Sequence, residues 1–498
     1  MIYDYIIVGA GIGGLSAGLN LIANNKKVLI LEKNSLPGGL ASTFKKGRFE
    51  FDTTIWDLYD FGNSEHIGEI QKLFQKYGLT TSTKLIPFNN RIKVLDTNED
   101  YEIKGEFEEF VLWLEQQNPG SMEPIREFIK ITKEVHDALE CIKANNYQIE
   151  ENFPNFTKYL DYNALNALID LKIPRDTIHK MSYLWLEIGS PLNKLNFIDY
   201  ANFMYKLIFK KTVVLNDKNI ALALEMAKQF QTLGGKIHYN TKVIEIIEDS
   251  DTETIKTSDG KEYKAKHVIC DLSKRYVFKE LIKKTDKDIN RLENARTLSP
   301  NGIYVYLGLN QDHKALNLTN YHYYQFNTLN SEQNVAKMTS LKHSTFEAIV
   351  PNVVCDNASP ENTTILVLRT SYFGNVFDKV NKNNYYKVKE ELAKHLIDQF
   401  EEAFKVDVKN YIEEISIATP FTFERLTNNI NGSFMGYMRL GYDNSIHRLI
   451  SEEDEKLANL SFVGNSAIFG GGFDNAFYSG YYVTEKLLNQ KGSENNGE

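Results

Sequence analysis

The chain has 498 residues, a net charge of −9, 42% apolar residues and 25% charged ones, a balance that suits a globular protein of about two to four compact units. The acidic balance gives no general field for nucleic acid. Three scattered cysteines, Cys141, Cys270 and Cys355, exclude a disulfide scaffold, a cysteine zinc site and a CxxC redox pair.

Residues 1–33 read as a βαβ unit: an apolar strand, a glycine turn, a helix, and a second strand ending at Glu32. The first strand follows the N-terminus directly, without a basic n-region or a small-residue cleavage site. A cytoplasmic protein with reduced thiols is the expectation. Residues 64–77 form an amphipathic pattern with Ile67, Ile70, Leu73 and Phe74 on one face, and Gly78 stops it. Residues 106–146 read as helical with a break at Asn118-Pro119-Gly120. Residues 195–211 are apolar and aromatic and end in Lys210-Lys211. Two readings stand for that stretch, a buried helix and a face that touches a membrane peripherally. No apolar run reaches the roughly 18 residues needed to span a bilayer.

A second helix–strand passage occupies residues 219–247, followed by the hairpin signal Asp259-Gly260 and a return strand at 267–270. Strand-like runs recur at 302–309 and 364–370, and residues 385–405 carry a well-patterned helix. Residues 460–488 repeat the order strand, glycine turn, helix. A polar tail, residues 490–498, is expected to be disordered.

Three glycine-rich segments carry the chemistry. Val8-Gly9-Ala10-Gly11-Ile12-Gly13-Gly14 is a GxGxxG between a strand and a helix. Gly9 permits the tight turn, Gly11 lets backbone approach a pyrophosphate, and Gly14 lets helix and strand pack closely. The helix N-terminus adds free N–H donors and a positive dipole end. Glu32, 18 residues after Gly14, stands where an acid accepts ribose hydroxyls. Next comes Lys33-Asn34-Ser35-Leu36-Pro37-Gly38-Gly39-Leu40-Ala41, whose Gly-Gly pair bares backbone beside the pyrophosphate or flavin. That feature favours FAD over a nicotinamide cofactor. The third segment is Gly464, then Gly470-Gly471-Gly472-Phe473-Asp474 at the start of the last helix. A helix end there would stabilise negative charge on a reduced flavin ring.

With VGAGIGGLSAG, LEKNSLPGGLASTF, GRFEFDTTI, GGKIHYNTKVIEI, TPFTFERLTNNINGSFMG and FVGNSAIFGGGFDNAFYSG in order, the chain resembles the flavin amine oxidase and phytoene desaturase superfamily over nearly its full length. The likeness is greatest to the carotenoid desaturase, carotenoid isomerase and retinol saturase branch. The resemblance implies an α/β fold: a Rossmann-like FAD-binding domain built from residues 1–95, 215–290 and 440–498. An α+β substrate domain built from residues 96–214 and 291–439 is interleaved with it. It also implies that Val243 holds the adenine through its backbone and that Gly464, Gly472 and Phe473 contact the flavin.

The expected cofactor set is therefore Gly9, Gly11, Ile12, Gly13, Gly14, Glu32, Lys33, Gly38, Gly39, Leu40, Ala41, Val243, Gly464, Gly471, Gly472, Phe473 and Asp474. No cysteine stands near the terminal glycines, so a noncovalent FAD is expected. Four positions depart from relatives: Leu40 replaces an arginine, Thr53-Thr54 follow Phe51-Asp52, no Gly-Gly precedes Asn219, and Asp474-Asn475 close the last motif.

Trp56, Asp57 and Tyr59 follow the Phe-Asp step, where the resemblance implies that they border the flavin's substrate side, and are the catalytic candidates. Asp57 reads as a general base if burial raises its pKa, and at least as readily as a solvated loop carboxylate. Arg425 reads better as a structural ion pair than as an anion site. The run Tyr321-His322-Tyr323-Tyr324 fits a cleft wall and ordinary strand packing equally. No spacing suggests a metal. The expected reaction is hydride exchange between flavin and a small apolar polyene or lipid, by desaturation, saturation or isomerisation, with an unidentified electron acceptor. Oxidation of an amine or amino-acid derivative is the enzymatic alternative, and a flavin-free prenyl-lipid chaperone is the non-enzymatic one.

Overall fold

Parallel strands buried on both faces must be apolar throughout, and Ile2–Val8 and Val28–Leu31 meet that demand with Ile6, Ile7, Leu29 and Ile30 fully buried. The computed structural model describes residues 1–54, 57–62, 67–144, 149–248, 252–282, 291, 293–450 and 459–494. Within these, the two strands lie in a sheet of seven. Its order is Val243–Ile247, Glu253–Thr257, Glu262–Cys270, Ile2–Val8, Val28–Leu31 and Lys236–His238, and Leu460–Phe462 pairs with the far end of Glu262–Cys270. The pairing around Ile2–Val8 is parallel, and the hairpin through Gly260 (φ 79°) is antiparallel.

Register decides where the loops emerge. Val8 lies opposite Leu31 on one side and Cys270 on the other, and Cys270 lies opposite Phe462. Gly9, Glu32, Asp271 and Val463 therefore leave the sheet at one edge, the carboxyl end where ligands of open α/β sheets sit. The helices Ile12–Ala23 and Phe473–Glu494 pack on each other above this edge. A Cβ on Gly480 would lie 2.3 Å from the Gly13 carbonyl oxygen, so the approach depends on that glycine. Asn20 bonds Thr484 across the contact at 3.0 Å.

A second seven-stranded sheet runs Ile412–Ala418, Asn301–Leu309, Thr364–Tyr372, Phe346–Ile349, His322–Phe326, Asn90–Val94 and Glu99–Ile103. One face is covered by the helix Tyr385–Phe404 through Leu392, Leu396 and Phe400. On the other face Tyr304 meets Phe423 edge-on, and Tyr306 meets Phe44 edge-on and Phe51 at a tilt. A helical layer that includes Phe107–Gln117, Met122–Lys143 and Phe197–Phe209 completes the unit. The break at Asn118–Gly120 and the stop at Gly78 (φ 63°) fall where the sequence puts them.

Two boundaries move. Asn90–Val94 joins the second sheet, parallel to His322–Phe326, although a limit at residue 95 leaves it in the first unit. Met438, Leu440 and Ile446 pack into the helical layer, across a limit at 440. Short alternating segments show which face is buried, not which sheet they join. The last helix continues through Glu494, into a stretch expected to be disordered. Phe197–Phe209 buries Phe197, Ile198, Tyr200, Ala201, Met204 and Tyr205. Its following lysines are engaged, Lys211 with Glu106 at 2.5 Å and Lys210 with the Ile67 carbonyl at 3.3 Å.

Candidate cofactor and substrate site

One cavity follows the carboxyl edge of the first sheet and continues to the second. The turn after Val8 opens it. Gly9 has φ 106° and bonds the Leu31 carbonyl, a conformation that strongly favours glycine. The helix Ile12–Ala23 has no side-chain cap from its own N-cap residue Gly11 and no acid in its first turn, and its positive end faces the cavity. Gly38 donates to the Ala10 carbonyl at 2.8 Å and bridges to Gly11. From the other end of the chain, Gly464 lies so near that a Cβ on Gly13 would meet its nitrogen at 2.7 Å. Gly471 is pressed on Met435, where a Cβ would lie 2.2 Å from the Met435 Cα.

Gly9, Gly11, Ile12 and Gly13 line the cavity, as do Glu32, Lys33, Gly38, Gly39, Leu40, Ala41, Val243, Gly464, Gly471, Gly472, Phe473 and Asp474. Gly14 stands behind the wall and gives its N–H to Asp271 at 3.0 Å. Glu32 is buried, and each of its oxygens already accepts a backbone N–H, from Ala10 at 2.8 Å and from Asn34 at 2.7 Å. These bonds fix the carboxylate at the strand end. Burial brings Lys33 down to about 8 against the opposing pull of Glu32, while its ammonium bonds Asn428 at 2.8 Å. Lys206 lies between Asp474 at 2.7 Å and Asp60 at 3.4 Å. Burial opposes its charge, yet these carboxylates hold it above the usual lysine range.

Asp57 and Tyr59 also line the cavity; Trp56 lies outside the described residues. Thr53 and Thr54 hydroxyls donate to the Leu40 carbonyl, tying this loop to the Gly38-Gly39 turn. Asp57 meets His322 at 3.0 Å, so two residues flagged separately in the sequence share one wall. Behind them stands a network the sequence reading missed. His322 Nδ1 is 2.8 Å from Glu347, and Arg369 pairs with both Glu347 and Glu187. Burial opposes the charge on His322, but Asp57 and Glu347 carry it up to about 10. Glu347 is held down at about 2, because Arg369 and His322 outweigh its burial. Burial pushes Glu187 up to about 7 against Arg369, with Glu347 and Asp57 adding to the rise. Glu187 is thus the carboxyl of this wall whose proton affinity burial raises, and Asp57 is the hydrogen-bond partner of His322. One Asp57 oxygen, Oδ1, is buried without a hydrogen-bond partner among the described residues.

The available signal for this network was a lone charge inside an apolar strand, Glu347 in Phe346–Ile349 and Arg369 in Thr364–Tyr372. Those two are cross-strand partners. Arg425 is exposed; it offers its carbonyl to Lys33, and among the described residues no carboxylate pairs with its guanidinium, contrary to the expected ion pair. Its position on Pro420–Thr427 turns the side chain to solvent.

The profile described as "Flavin containing amine oxidoreductase" matches residues 12–488. The chain belongs to this family. Among proteins similar to it, the chloroplastic prolycopene isomerase of Daucus carota is 23% identical, over 99% of this chain and 81% of that one. The all-trans-retinol 13,14-reductase of Danio rerio is 22% identical, over 97% and 86%. A putrescine oxidase double mutant from a redesign of cofactor binding superposes with a TM-score of 0.64 over 98% of this chain and 99% of that one, at 13% identity. That last likeness speaks for the fold. Among the described residues, no helix is long and apolar enough to cross a membrane.

Proposed function

We propose that this family member is an FAD-dependent oxidoreductase that exchanges a hydride between a substrate carbon and the flavin, with an apolar polyene or lipid-like molecule as substrate. The observation that carries the reading is the meeting of bare backbone from both chain ends, Gly11 and Gly13 against Gly38 and Gly464, on a cavity that continues to Asp57 and His322. A wall without side chains there suits a flat, phosphate-linked dinucleotide. The start of Ile12–Ala23 would take the pyrophosphate, Glu32 the ribose and the Val243 backbone the adenine. Gly471, Gly472 and Phe473 would face the ring. None of the three cysteines lines the cavity, which supports noncovalent binding. The cofactor would supply two-electron chemistry, and the protein alignment, water exclusion and electrostatics.

Leu186, Ile188, Phe203, Met338, Phe346 and Phe434 give the far wall its apolar area. Relatives named for prolycopene and all-trans-retinol support a polyene. Glu187 has the proton affinity to exchange a proton with a substrate carbon while a hydride is exchanged at its neighbour. A second reading, oxidation of an amine, draws on the same wall. Asp57, Glu187 and Glu347 together outnumber Arg369 and His322, so the ionised network attracts a cation. A flavin-free lipid chaperone would have no use for the glycine wall. The buried face of Phe197–Phe209 supports an internal helix over a membrane-docking one.

The test is anaerobic bleaching of the purified protein's flavin absorbance by a panel of polyenes, fatty acids and amines. Bleaching by polyenes or lipids, or re-oxidation of the reduced protein by them, is expected. Bleaching by amines alone would move the assignment to the second reading. A colourless protein that gains nothing from added FAD would refute both.

A further inference from the structure

Asp271 has no part in the reading above, yet it stands at the centre of the glycine wall. It follows the strand Glu262–Cys270 and leaves the sheet at the same edge as Gly9 and Glu32. Backbone crowds its carboxyl on several sides, while the residue as a whole is half-buried. A Cβ on Gly11 would lie 2.3 Å from its Oδ2, one on Gly464 2.1 Å from its Oδ1, and one on Gly14 3.2 Å from its Cβ. These glycines therefore make room for Asp271 as well as for a ligand. Its Oδ2 accepts the Gly14 N–H at 3.0 Å, one of the donors that a helix start would otherwise turn to a phosphate. It also lines the cavity.

We propose that Asp271 binds the pyrophosphate of the dinucleotide as an uncharged carboxylic acid, so that the cofactor enters together with one proton. The inference rests on the FAD reading and adds the protonation state of its phosphate site. An ionised carboxylate would set a negative charge against a negative phosphate inside a desolvated wall. A protonated carboxyl keeps its carbonyl oxygen on the Gly14 N–H and turns its O–H to a phosphate oxygen. The proton comes from solvent and stays on Asp271, shared in that hydrogen bond, and no other bond changes. The turn at residues 9–14 faces it with the N–H groups of Gly14 and Gly11, which favour the ionised form, and Gly464 faces it with backbone. Glu32, from the adjacent strand, adds a like charge, and Cys270, its own chain neighbour, is a buried thiol held above its usual range. Burial, with Glu32 adding to it, pushes Asp271 up to about 7 despite both N–H groups, which places the protonation within the physiological range.

The experiment follows FAD release from the full-length holoprotein, by flavin fluorescence on dilution, between about pH 6 and pH 9. The dissociation constant should be level at the acid end and rise by up to about tenfold per pH unit above about 7. Calorimetry of FAD binding in two buffers of different ionisation heat, near pH 8, should show uptake of close to one proton. Asp271→Asn, whose amide both accepts and donates, should bind FAD with a flat pH profile. Level binding across the range, no proton uptake, or a slope that persists in the Asn variant would overturn the inference while leaving the FAD reading in place. The calorimetric result on the unmodified protein decides the matter even if the variant does not fold. Failure to bind FAD at any pH would overturn both.

Discussion

Glu187 and Glu347 share Arg369, yet their environments push them in opposite directions, and the two corresponding amide variants should separate. Moving a carboxyl from its usual 4.5 to about 7, as at Glu187, corresponds to about 3 kcal/mol against the ionised form. That cost is absent below the unfolded value near 4.5, accumulates as pH rises through 7, and is complete above it. Glu187→Gln keeps an acceptor for Arg369 and carries no such cost. Its melting temperature should match the unsubstituted protein near pH 5 and exceed it by a few degrees near pH 8, for a gain of about 1–3 kcal/mol. Glu347 is ionised throughout this range, and its conversion to Gln leaves His322 and Arg369 undercompensated in a buried wall. Breaking such a pair costs about 3–5 kcal/mol, so Glu347→Gln should melt lower at both pH values. Thermal melts of the three proteins at the two pH values make the comparison. A Glu187→Gln protein that is less stable than the unsubstituted one at pH 8, or losses of equal size in both variants, would refute the assignment of opposite proton affinities.

Gly471→Ala places a Cβ 2.2 Å from backbone at Met435, so the turn through residues 470–472 must move. FAD affinity should fall by at least about tenfold, about 1.4 kcal/mol, read as the flavin-to-protein ratio after gel filtration. Gly480→Ala forces apart the helices Ile12–Ala23 and Phe473–Glu494, because its Cβ meets Gly13 and Ala17 backbone at 2.3 and 2.7 Å. A loss of about 1–3 kcal/mol is expected, and the melting temperature should drop with or without FAD. Lys218 holds φ 68° and ψ 156°, a region almost confined to glycine and costly by about 1–3 kcal/mol. It also donates to the Ala358 carbonyl at 2.6 Å. Both Lys218→Gly and Lys218→Ala lose that bond, but only the first relieves the backbone, so Lys218→Gly should melt higher than Lys218→Ala. An equal or reversed order would remove the strain from the account.

The sequence by itself determined the parts whose signal is local. A glycine turn after an apolar strand, an acid at the end of the next strand and a glycine run before the last helix each follow from backbone geometry over a few residues. That is why the turns at Gly9 to Gly14, Gly38-Gly39 and Gly471-Gly472 and the strand end at Glu32 are legible in the chain. The placement of Asn90–Val94 could not, because its alternating pattern suits either sheet. The charged wall was equally out of reach. Asp57, Glu187, His322, Glu347 and Arg369 come from a loop, a short helix and three strands, and only sheet register and packing bring them together. Asp271 shows the same limit from the other side. In the chain it is an ordinary acid after a strand, and its crowding by Gly9, Gly11, Gly14 and Gly464 exists only once parallel strands align their ends. Proton affinities in that wall depend on burial and on neighbours distant in the chain, and tertiary structure alone supplies both.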